Sequence, residues 1–332
     1  MAYILGNEPL LTLLFSSLRQ NKVAGCYVLE GAEGTGKLTV ARYFAAALMC
    51  THPNADCTPC LSCPACKNVL SGGHVDVTEL RPEEEGKRIP VSAIRQLIAE
   101  THLLPTQGDW RVLIIENADH MNKEAQNALL KSIEEPSPQT VFFLLTDDLT
   151  RLLPTVRSRA VKLKTEPLED RVIRSVLAKE SGDFASVEEA VLLCGGSLGK
   201  ARSILCDKDL HEAREKVISY FKALMDGAGF TKLSLILPPG NMNRADLGRV
   251  LPMIKIALRD LITARYSNVK SEFFTDERFR RDLASIISPA SALRLFELIQ
   301  DLERAVAQNV NIFSALSGFH LTAKKLTQSS HL

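Results

Sequence analysis

A glycine-rich loop between an apolar run and a helical segment constrains the fold of this chain more than any other feature. Residues 26–31, CYVLEG, form a short apolar run typical of a buried strand, and from Lys37 onward apolar residues recur at helical spacing. The glycines Gly31, Gly34 and Gly36 permit a tight turn whose backbone N–H groups can face a phosphate. Lys37 adds a positive charge at the N-terminus of the helix, where anions bind. The sequence therefore predicts a phosphate-binding loop.

The residue after this lysine departs from the usual pattern. Leu38 stands where phosphate-binding loops carry the Ser or Thr whose hydroxyl binds Mg²⁺. Thr39 has a hydroxyl, but it lies one residue later and about 100° further around the helix. We therefore expect weak binding of ATP or ADP and no hydrolysis; the alternative is a glycine-rich turn that matches by chance. The candidate nucleotide-binding residues of the loop are Gly31, Gly34, Thr35, Gly36, Lys37 and Thr39.

A second departure follows the apolar run VLIIENAD, residues 112–119. Nucleotide hydrolases end this strand with one acid that organises Mg²⁺ and a second that polarises the attacking water. Glu116 can still reach a metal through water and is a further candidate for the nucleotide site. Asn117 has no basic oxygen that could accept a proton. The alternative interpretation is a buried strand that simply ends in polar residues.

Five of the eight cysteines lie within CTHPNADCTPCLSCPAC, residues 50–66. Two successive C-x-x-C steps place thiolates on tight turns, where they can converge at about 2.3 Å on one tetrahedral Zn²⁺. The predicted ligands are Cys50, Cys60, Cys63 and Cys66, with Cys57 as the spare; Cys57 in place of Cys50 and free or redox-active thiols are the alternatives. Because four protein ligands leave no open position, we expect a structural zinc ion.

Strands and helices alternate through the first half of the chain, which predicts an α/β fold with a parallel, doubly wound sheet and the phosphate loop at its carboxyl edge. The predicted elements are a strand at 74–80, a helix at 92–100, strands at 110–117 and 140–146, and a helix at 122–136 between them. Beyond residue 165 the pattern is helical. We predict three parts: 1–165 with the cysteine module at 50–66, a small helical unit at 166–208, and a helical domain at 209–332.

Charge and hydropathy narrow the range of partners. The formal net charge is +1, so the chain has no global field that draws it to nucleic acid, and any contact with DNA must be local. No run of 18 apolar residues is present, and the apolar N-terminus lacks a basic leader. We therefore expect a cytoplasmic protein with no membrane partner.

Three segments together resemble one family. They are GAEGTGK (31–37), CTPCLSCPAC (57–66) and NKEAQNALLKSIEEPSPQTVFFLLTDDLTRLLPTVRSR (122–159), and they are similar to bacterial sliding-clamp loaders, most of all to the delta prime type of subunit. The resemblance aligns Arg159 with the arginine finger of that family, with Ala160 in place of the usual Cys. Gly199 stands where the motor subunits carry a sensing arginine. The last predicted domain agrees only in its helical character.

The resemblance implies an AAA+ nucleotide-binding fold with a zinc insertion, a small helical lid and an all-α collar. It also implies a hetero-pentamer with the gamma/tau and delta subunits, within the DNA polymerase III holoenzyme, which loads the sliding clamp onto primed DNA. Altered residues at Leu38, Asn117 and Gly199 indicate a subunit that lacks ATPase activity, while Arg159 would act in trans on a neighbour's ATP. The alternatives are an active gamma/tau-like ATPase and a small-molecule kinase.

Overall fold

The computed structural model describes residues 4–82, 88–101, 104–181, 184–266, 273–274, 276–307 and 311–328. The chain forms two compact units. The first comprises Met1–Ile173 and Gly195–Gly199, and the second comprises Arg174–Cys194 and Lys200–Leu332. The division into three parts at residues 165 and 208 stays a prediction.

The first unit contains a five-stranded sheet in which every pairing is parallel, with the order β2-β3-β4-β1-β5. Its strands are β1 Cys26–Glu30, β2 Val77–Leu80, β3 Arg111–Ile115, β4 Thr140–Thr146 and β5 Val161–Lys164. Since β1 lies between β4 and β5, the loop after β1 opens at the carboxyl edge, beside the residues that follow β4. The predicted parallel α/β sheet is confirmed.

Helices cover both faces of this sheet. They are α1 Glu8–Arg19, α2 Lys37–Met49, α3 Pro64–Leu70, α4 Val91–Glu100, α5 Lys123–Glu134 and α6 Pro154–Arg157. Side chains of β1 alternate between two buried clusters: Tyr27 and Leu29 join the cluster of α1, α2 and α3, and Val28 joins the cluster of α4, α5 and α6. Burial on both faces explains why the central strands β1, β3 and β4 are mostly apolar, whereas the edge strands β2 and β5 contain polar residues as well.

Helix α5 begins where the sequence indicates. The side-chain oxygen of Asn122 accepts a hydrogen bond of 2.8 Å from the backbone N–H of Ala125, which is the contact of an N-cap residue. Pro136 follows the last helical residues at the other end. This helix and the short α6 pack together, and they carry the residues that matter for the arginine site below.

After β5, the elements of the described chain are helices: α7 Asp170–Glu180, α8 Phe184–Cys194, α9 Leu198–Cys206, α10 Lys208–Met225, α11 Phe230–Ile236, α12 Arg244–Tyr266, α13 Glu277–Ile286, α14 Pro289–Ala307 and α15 Ile312–Gln328. The second unit has one continuous apolar core, in which Tyr220, Phe221 and Leu258 are fully buried. His320 is also fully buried in this unit. Within the described residues, none of the helices has the length and apolar character needed to cross a membrane.

Candidate functional site

The predicted phosphate loop connects β1 to α2, as the sequence indicates. Gly34 and Gly36 have φ angles of 75° and 87°, in the left-handed region that favours glycine, and Gly36 directly precedes the first residue of α2. Gly34 is also closely approached: a Cβ added there would lie 1.9 Å from Oγ of Ser197. The turn therefore requires glycine at these two positions, and a serine from a distant segment covers it.

Lys37 is engaged within the chain. Its side chain is buried, and Nζ lies 2.6 Å from the carbonyl oxygen of Gly31, 3.0 Å from that of Ala32 and 2.5 Å from Oδ1 of Asp147, which follows β4. An ammonium group has three N–H donors, and here three acceptors take them. The group that would bind a phosphate is therefore satisfied by the loop itself and by one acid.

Further side chains form hydrogen bonds with the loop. Oγ1 of Thr35 lies 2.7 Å from the Ala32 carbonyl oxygen and 2.7 Å from Oγ1 of Thr165. Asn7 donates to the Thr35 carbonyl at 3.5 Å and accepts from the Glu166 N–H at 2.8 Å. The loop is thus held in a network that includes residues before β1 and after β5.

Sequence reasoning missed Asp147, Thr165, Ser197 and Asn7 as neighbours of the loop. A signal existed for Asp147, since the carboxyl ends of adjacent parallel strands meet at one edge and the residues after β4 lie beside the loop after β1. For Ser197 and Asn7 the sequence contains no comparable signal, because each reaches the loop from a segment outside the sheet.

Leu38 and Asn117, two of the three altered motor positions, have local structural roles. Leu38 is half-buried and packs against the apolar cluster of α1, α2 and α3. Thr39 is half-buried on α2. Asn117 has a left-handed φ of 50°, which Asn tolerates better than most residues.

Glu116 is half-buried beside Arg81, with 3.8 Å between Oε1 of Glu116 and Nε of Arg81, and burial raises the pKa of Glu116. The structure thus pairs Lys37 with Asp147 and Glu116 with Arg81.

The four cysteines predicted as ligands lie together. The sulfur atoms of Cys50, Cys60, Cys63 and Cys66 are all within 4.8 Å of one another. A tetrahedral zinc site with Zn–S bonds of about 2.3 Å places its sulfurs about 3.8 Å apart, so the set fits such an ion with little movement. Cys57 lies outside this set, in a turn with φ of 64°.

Backbone amides point at these sulfurs. The N–H groups of Cys60, Cys63 and Cys66 each donate a hydrogen bond of 3.4 Å to the sulfur of the preceding cysteine in the set. The Ser62 hydroxyl donates to Cys60 and is the largest cause that lowers the pKa of this thiol, to about 5. Burial instead raises the pKa of Cys66. Because metals bind thiolates, the N–H···S contacts favour the protonation state that a metal needs.

Arg159 lies two residues beyond the end of α6. Nη1 donates to the carbonyl oxygen of Thr155 at 3.0 Å and to the Ser158 hydroxyl at 3.2 Å, and Nε forms an ion pair with the carboxylate of Glu134. The side chain is 37% exposed. Arg157, the competing candidate, is half-buried, and its Nε has no hydrogen-bond partner in the described part of the chain. Gly199 lies in the first turn of α9, with open space at its Cβ position.

Comparisons with known proteins agree on one family. The family model described as DNA polymerase III, delta subunit, matches residues 6–169, which include the phosphate loop, the cysteine cluster and Arg159. A DNA polymerase III subunit delta' of Bacillus subtilis is 29% identical over 269 residues, covering 80% of this chain and 79% of that protein. The subunit delta' of Pseudomonas aeruginosa is 36% identical over 204 residues, covering 61% of this chain and 62% of that protein.

A relative of the motor type is also similar. The DNA polymerase III subunit tau/gamma of Haemophilus influenzae is 32% identical over 177 residues, covering 53% of this chain and 25% of that protein. The likeness to both types of subunit means that identity alone does not separate a subunit that hydrolyses ATP from one that does not. The side-chain geometry of the loop and of Arg159 has to make that distinction.

Proposed function

The chain belongs to the delta prime family of DNA polymerase III clamp-loader subunits, and on that premise we propose that it helps to load the sliding clamp onto primed DNA without hydrolysing ATP itself. The observation that carries the second half of the proposal is the state of Lys37. All three donors of its ammonium group are taken by Gly31, Ala32 and Asp147. Leu38 and Asn117 support it, since Leu38 has no oxygen that could bind Mg²⁺ and Asn117 has no basic oxygen that could activate water.

The catalytic contribution that we propose is made in trans. Arg159 lies two residues beyond the short helix α6, which follows β4, and its side chain is partly exposed. An arginine delivered to a neighbouring subunit stabilises the charge that develops on the transferred phosphoryl group. Arg157 stays the competing candidate for this role.

The four-cysteine set is proposed to hold a structural Zn²⁺. Cys50 directly follows α2, and Cys63 caps the N-terminus of α3, so an ion bound between them would join the two helices. Cys66 already links the pair, because its thiol donates to the Ala46 carbonyl oxygen at 3.7 Å. Bound zinc would stabilise this module and take no part in phosphate chemistry.

The assembly is proposed by analogy with the family. Residues 166–208 would serve as a lid, and residues 209–332 as a collar that joins gamma/tau and delta subunits in a cytoplasmic hetero-pentamer. Contact with primed DNA and with the clamp would come through that complex. The apolar core of the second unit, built around Tyr220 and Phe221, supports a stable helical domain of this kind.

The competing function is an active gamma/tau-like ATPase. Two observations favour it, namely the 32% identity with a tau/gamma subunit over 177 residues and the complete set of loop glycines with Lys37 in this chain. In that case Thr39 and Glu116 would have to support metal binding. No observation favours the small-molecule kinase.

Reconstitution tests the proposal directly. The chain is mixed with the delta and gamma/tau subunits of its own source, and clamp loading onto primed DNA is measured with and without it. A clamp-loader subunit should co-purify in a stable complex, and its omission should abolish loading. If the complex forms and loads clamps equally well without this chain, the proposed function is wrong.

A further inference from the structure

We propose that Glu134 is a positioning residue for Arg159, which holds the guanidinium so that its outer edge faces a neighbouring subunit's nucleotide. The inference rests on the proposed trans-acting role of Arg159. It goes further by naming a second residue, on a different helix, on which that role depends.

The hydrogen bonds of the guanidinium divide its donors into two groups. Nη1 is directed inward, to the Thr155 carbonyl oxygen and the Ser158 hydroxyl. Nε lies against the carboxylate of Glu134. Nη2 donates no hydrogen bond to any residue that the structure describes, so its two N–H groups remain for an external acceptor. A phosphate oxygen is a matching acceptor for such an edge.

Glu134 is itself held in place by the fold. It is the last residue of α5, and Pro136 just beyond packs so closely on the start of β1 that a Cβ added to Gly25 would lie 2.6 Å from its Cγ. The C-terminal end of α5 is therefore fixed against the sheet. A carboxylate at this point offers a constant position to the side chain that pairs with it.

The same helix also fixes the backbone that leads to Arg159. Gln126 is buried on α5; its Nε2 donates to the Arg151 carbonyl oxygen at 3.2 Å, and its Oε1 accepts from the Leu153 N–H at 2.6 Å. Helix α5 thus makes two contacts with residues 151–159. Gln126 contacts the backbone of this segment, and Glu134 contacts the side chain of Arg159. This arrangement determines both the location and the orientation of the guanidinium.

Stability does not account for the pair. The side chains of Arg159 and Glu134 are 37% and 43% exposed, and ion pairs at such sites contribute little to folding because water screens them. Orientation is far more sensitive, since a displacement of about 1 Å in a catalytic group can lower a rate by roughly a hundredfold. Without Glu134, the inward bonds from Nη1 remain, and rotation about the last side-chain bonds is restrained less.

The test uses the reconstituted complex and measures ATP hydrolysis stimulated by clamp and primed DNA. The variants are Glu134→Gln, Arg159→Ala, the two together, and Glu135→Gln as the matched control. Glu135→Gln removes the same charge from the next residue of the chain, which has no ion pair among the described residues. We expect Glu134→Gln to lower the contribution of the affected site to kcat by up to about tenfold with an unchanged KM for ATP, because the lost interaction acts only in the transition state. We expect Glu135→Gln to leave both constants unchanged.

The double variant distinguishes positioning from a separate effect. If Glu134 acts through Arg159, the double variant should be no slower than Arg159→Ala alone. Additive losses, or a normal kcat in Glu134→Gln when Arg159→Ala is slow, would overturn this inference and leave the proposed function intact. A normal rate in Arg159→Ala would overturn the proposed function and this inference with it.

A spectroscopic measurement on the isolated folded chain checks the contact itself. The Nε–H resonance of Arg159, assigned by its loss in Arg159→Ala, should shift and exchange faster with water in Glu134→Gln and stay in place in Glu135→Gln. An unchanged resonance in Glu134→Gln would show that the carboxylate does not hold the guanidinium, and the inference would be wrong.

Discussion

Nζ of Lys37 lies 2.5 Å from Oδ1 of Asp147, so the charge of the loop lysine is paired with an acid. Asp147 directly follows β4, the strand that pairs with β1. A phosphate that enters the loop must displace this carboxylate as well as two carbonyl oxygens. Like charges would then face each other, since phosphate and Asp147 are both anionic. We therefore expect Asp147 to weaken the binding of nucleotide to the loop.

The first prediction is that Asp147→Asn strengthens nucleotide binding. Removal of the charge should raise the affinity for ATP or ADP by about tenfold, equivalent to about 1.4 kcal/mol and close to the lower limit for one charge-assisted hydrogen bond. Titration with a fluorescent nucleotide measures the effect. Asp148→Asn is the matched control, because its amide oxygen can still accept from Thr150 and it does not contact Lys37. Equal affinities in Asp147→Asn and the parent chain would refute the prediction.

The second prediction concerns turnover by the isolated chain. Without a hydroxyl at Leu38 or a base at Asn117, we expect steady-state hydrolysis well below about 1 s⁻¹, the lower end for working enzymes. A phosphate-release assay measures it, with Lys37→Ala to identify any contaminating ATPase. A rate of that size in the parent chain that disappears in Lys37→Ala would establish the motor alternative instead.

The third prediction is one tightly bound zinc ion per chain. Elemental analysis of protein purified under reducing conditions should find it in the parent chain and in Cys57→Ser, and should find it lost in Cys50→Ser. Because binding to a site absent from the unfolded chain adds to the free energy of folding, chelation should also lower the Tm of the first unit. Retention of zinc by Cys50→Ser together with its loss in Cys57→Ser would reassign the fourth ligand.

The fourth prediction compares Arg159 with its neighbour Arg157. Arginine fingers generally contribute about 10³–10⁵ to the rate at one site, and only one of several sites in the complex would lose this contribution in Arg159→Ala. We expect lower clamp- and DNA-stimulated hydrolysis and slower clamp loading, with assembly intact by size-exclusion chromatography. If Arg157→Ala shows the loss and Arg159→Ala does not, the role belongs to Arg157.

The fifth prediction is a loss of stability at mildly acidic pH caused by His320. Nε2 donates to the Leu237 carbonyl oxygen at 3.0 Å, so neutral Nδ1 accepts from the Tyr220 hydroxyl at 2.9 Å. Burial lowers the pKa of His320 below its ordinary value of 6.5. The unfolded chain therefore takes up the proton first, and the stabilisation present above pH 6.5 is lost as the pH falls from 6.5 through the lower pKa of the folded state.

Thermal unfolding between pH 7.5 and 5.5 measures this effect, which amounts to at most about 1.4 kcal/mol per pH unit. His320→Gln should show a smaller dependence on pH than the parent chain. His211→Gln, which alters an exposed histidine, should match the parent. Identical pH dependence in His320→Gln and the parent chain would contradict the assignment.

Local patterns in the sequence predicted those parts of the molecule whose causes are local. The loop glycines, the Asn122 cap and the C-x-x-C spacing each depend on a few consecutive residues, and the structure has them where the sequence indicated. Between Cys50 and Cys57 the spacing alone did not decide, and the helix end that carries Cys50 brings it into the set.

Sequence reasoning did not identify the contacts between distant segments, although the order of the strand ends gave a signal for Asp147. The Tyr220–His320 bond joins residues one hundred positions apart, and the Lys37–Asp147 pair joins residues on different strand ends. The sequence does not single out Glu134, because nothing in its neighbours indicates which charge it will meet. Such pairings depend on how the helices pack against each other. The hydrophobic periodicity of a single helix or strand does not specify this packing.

The contact between Gly34 and Ser197 has a consequence for the design of truncated forms of this protein. Ser197 belongs to the five-residue segment Gly195–Gly199, which is part of the first unit. The 21 residues before it, Arg174–Cys194, belong to the second unit. A truncated protein that stops at Ile173 would therefore lose the cover of its phosphate loop, and its nucleotide affinity would describe the fragment rather than the native subunit. Binding measured on such a fragment should be compared with a longer one that retains Ser197.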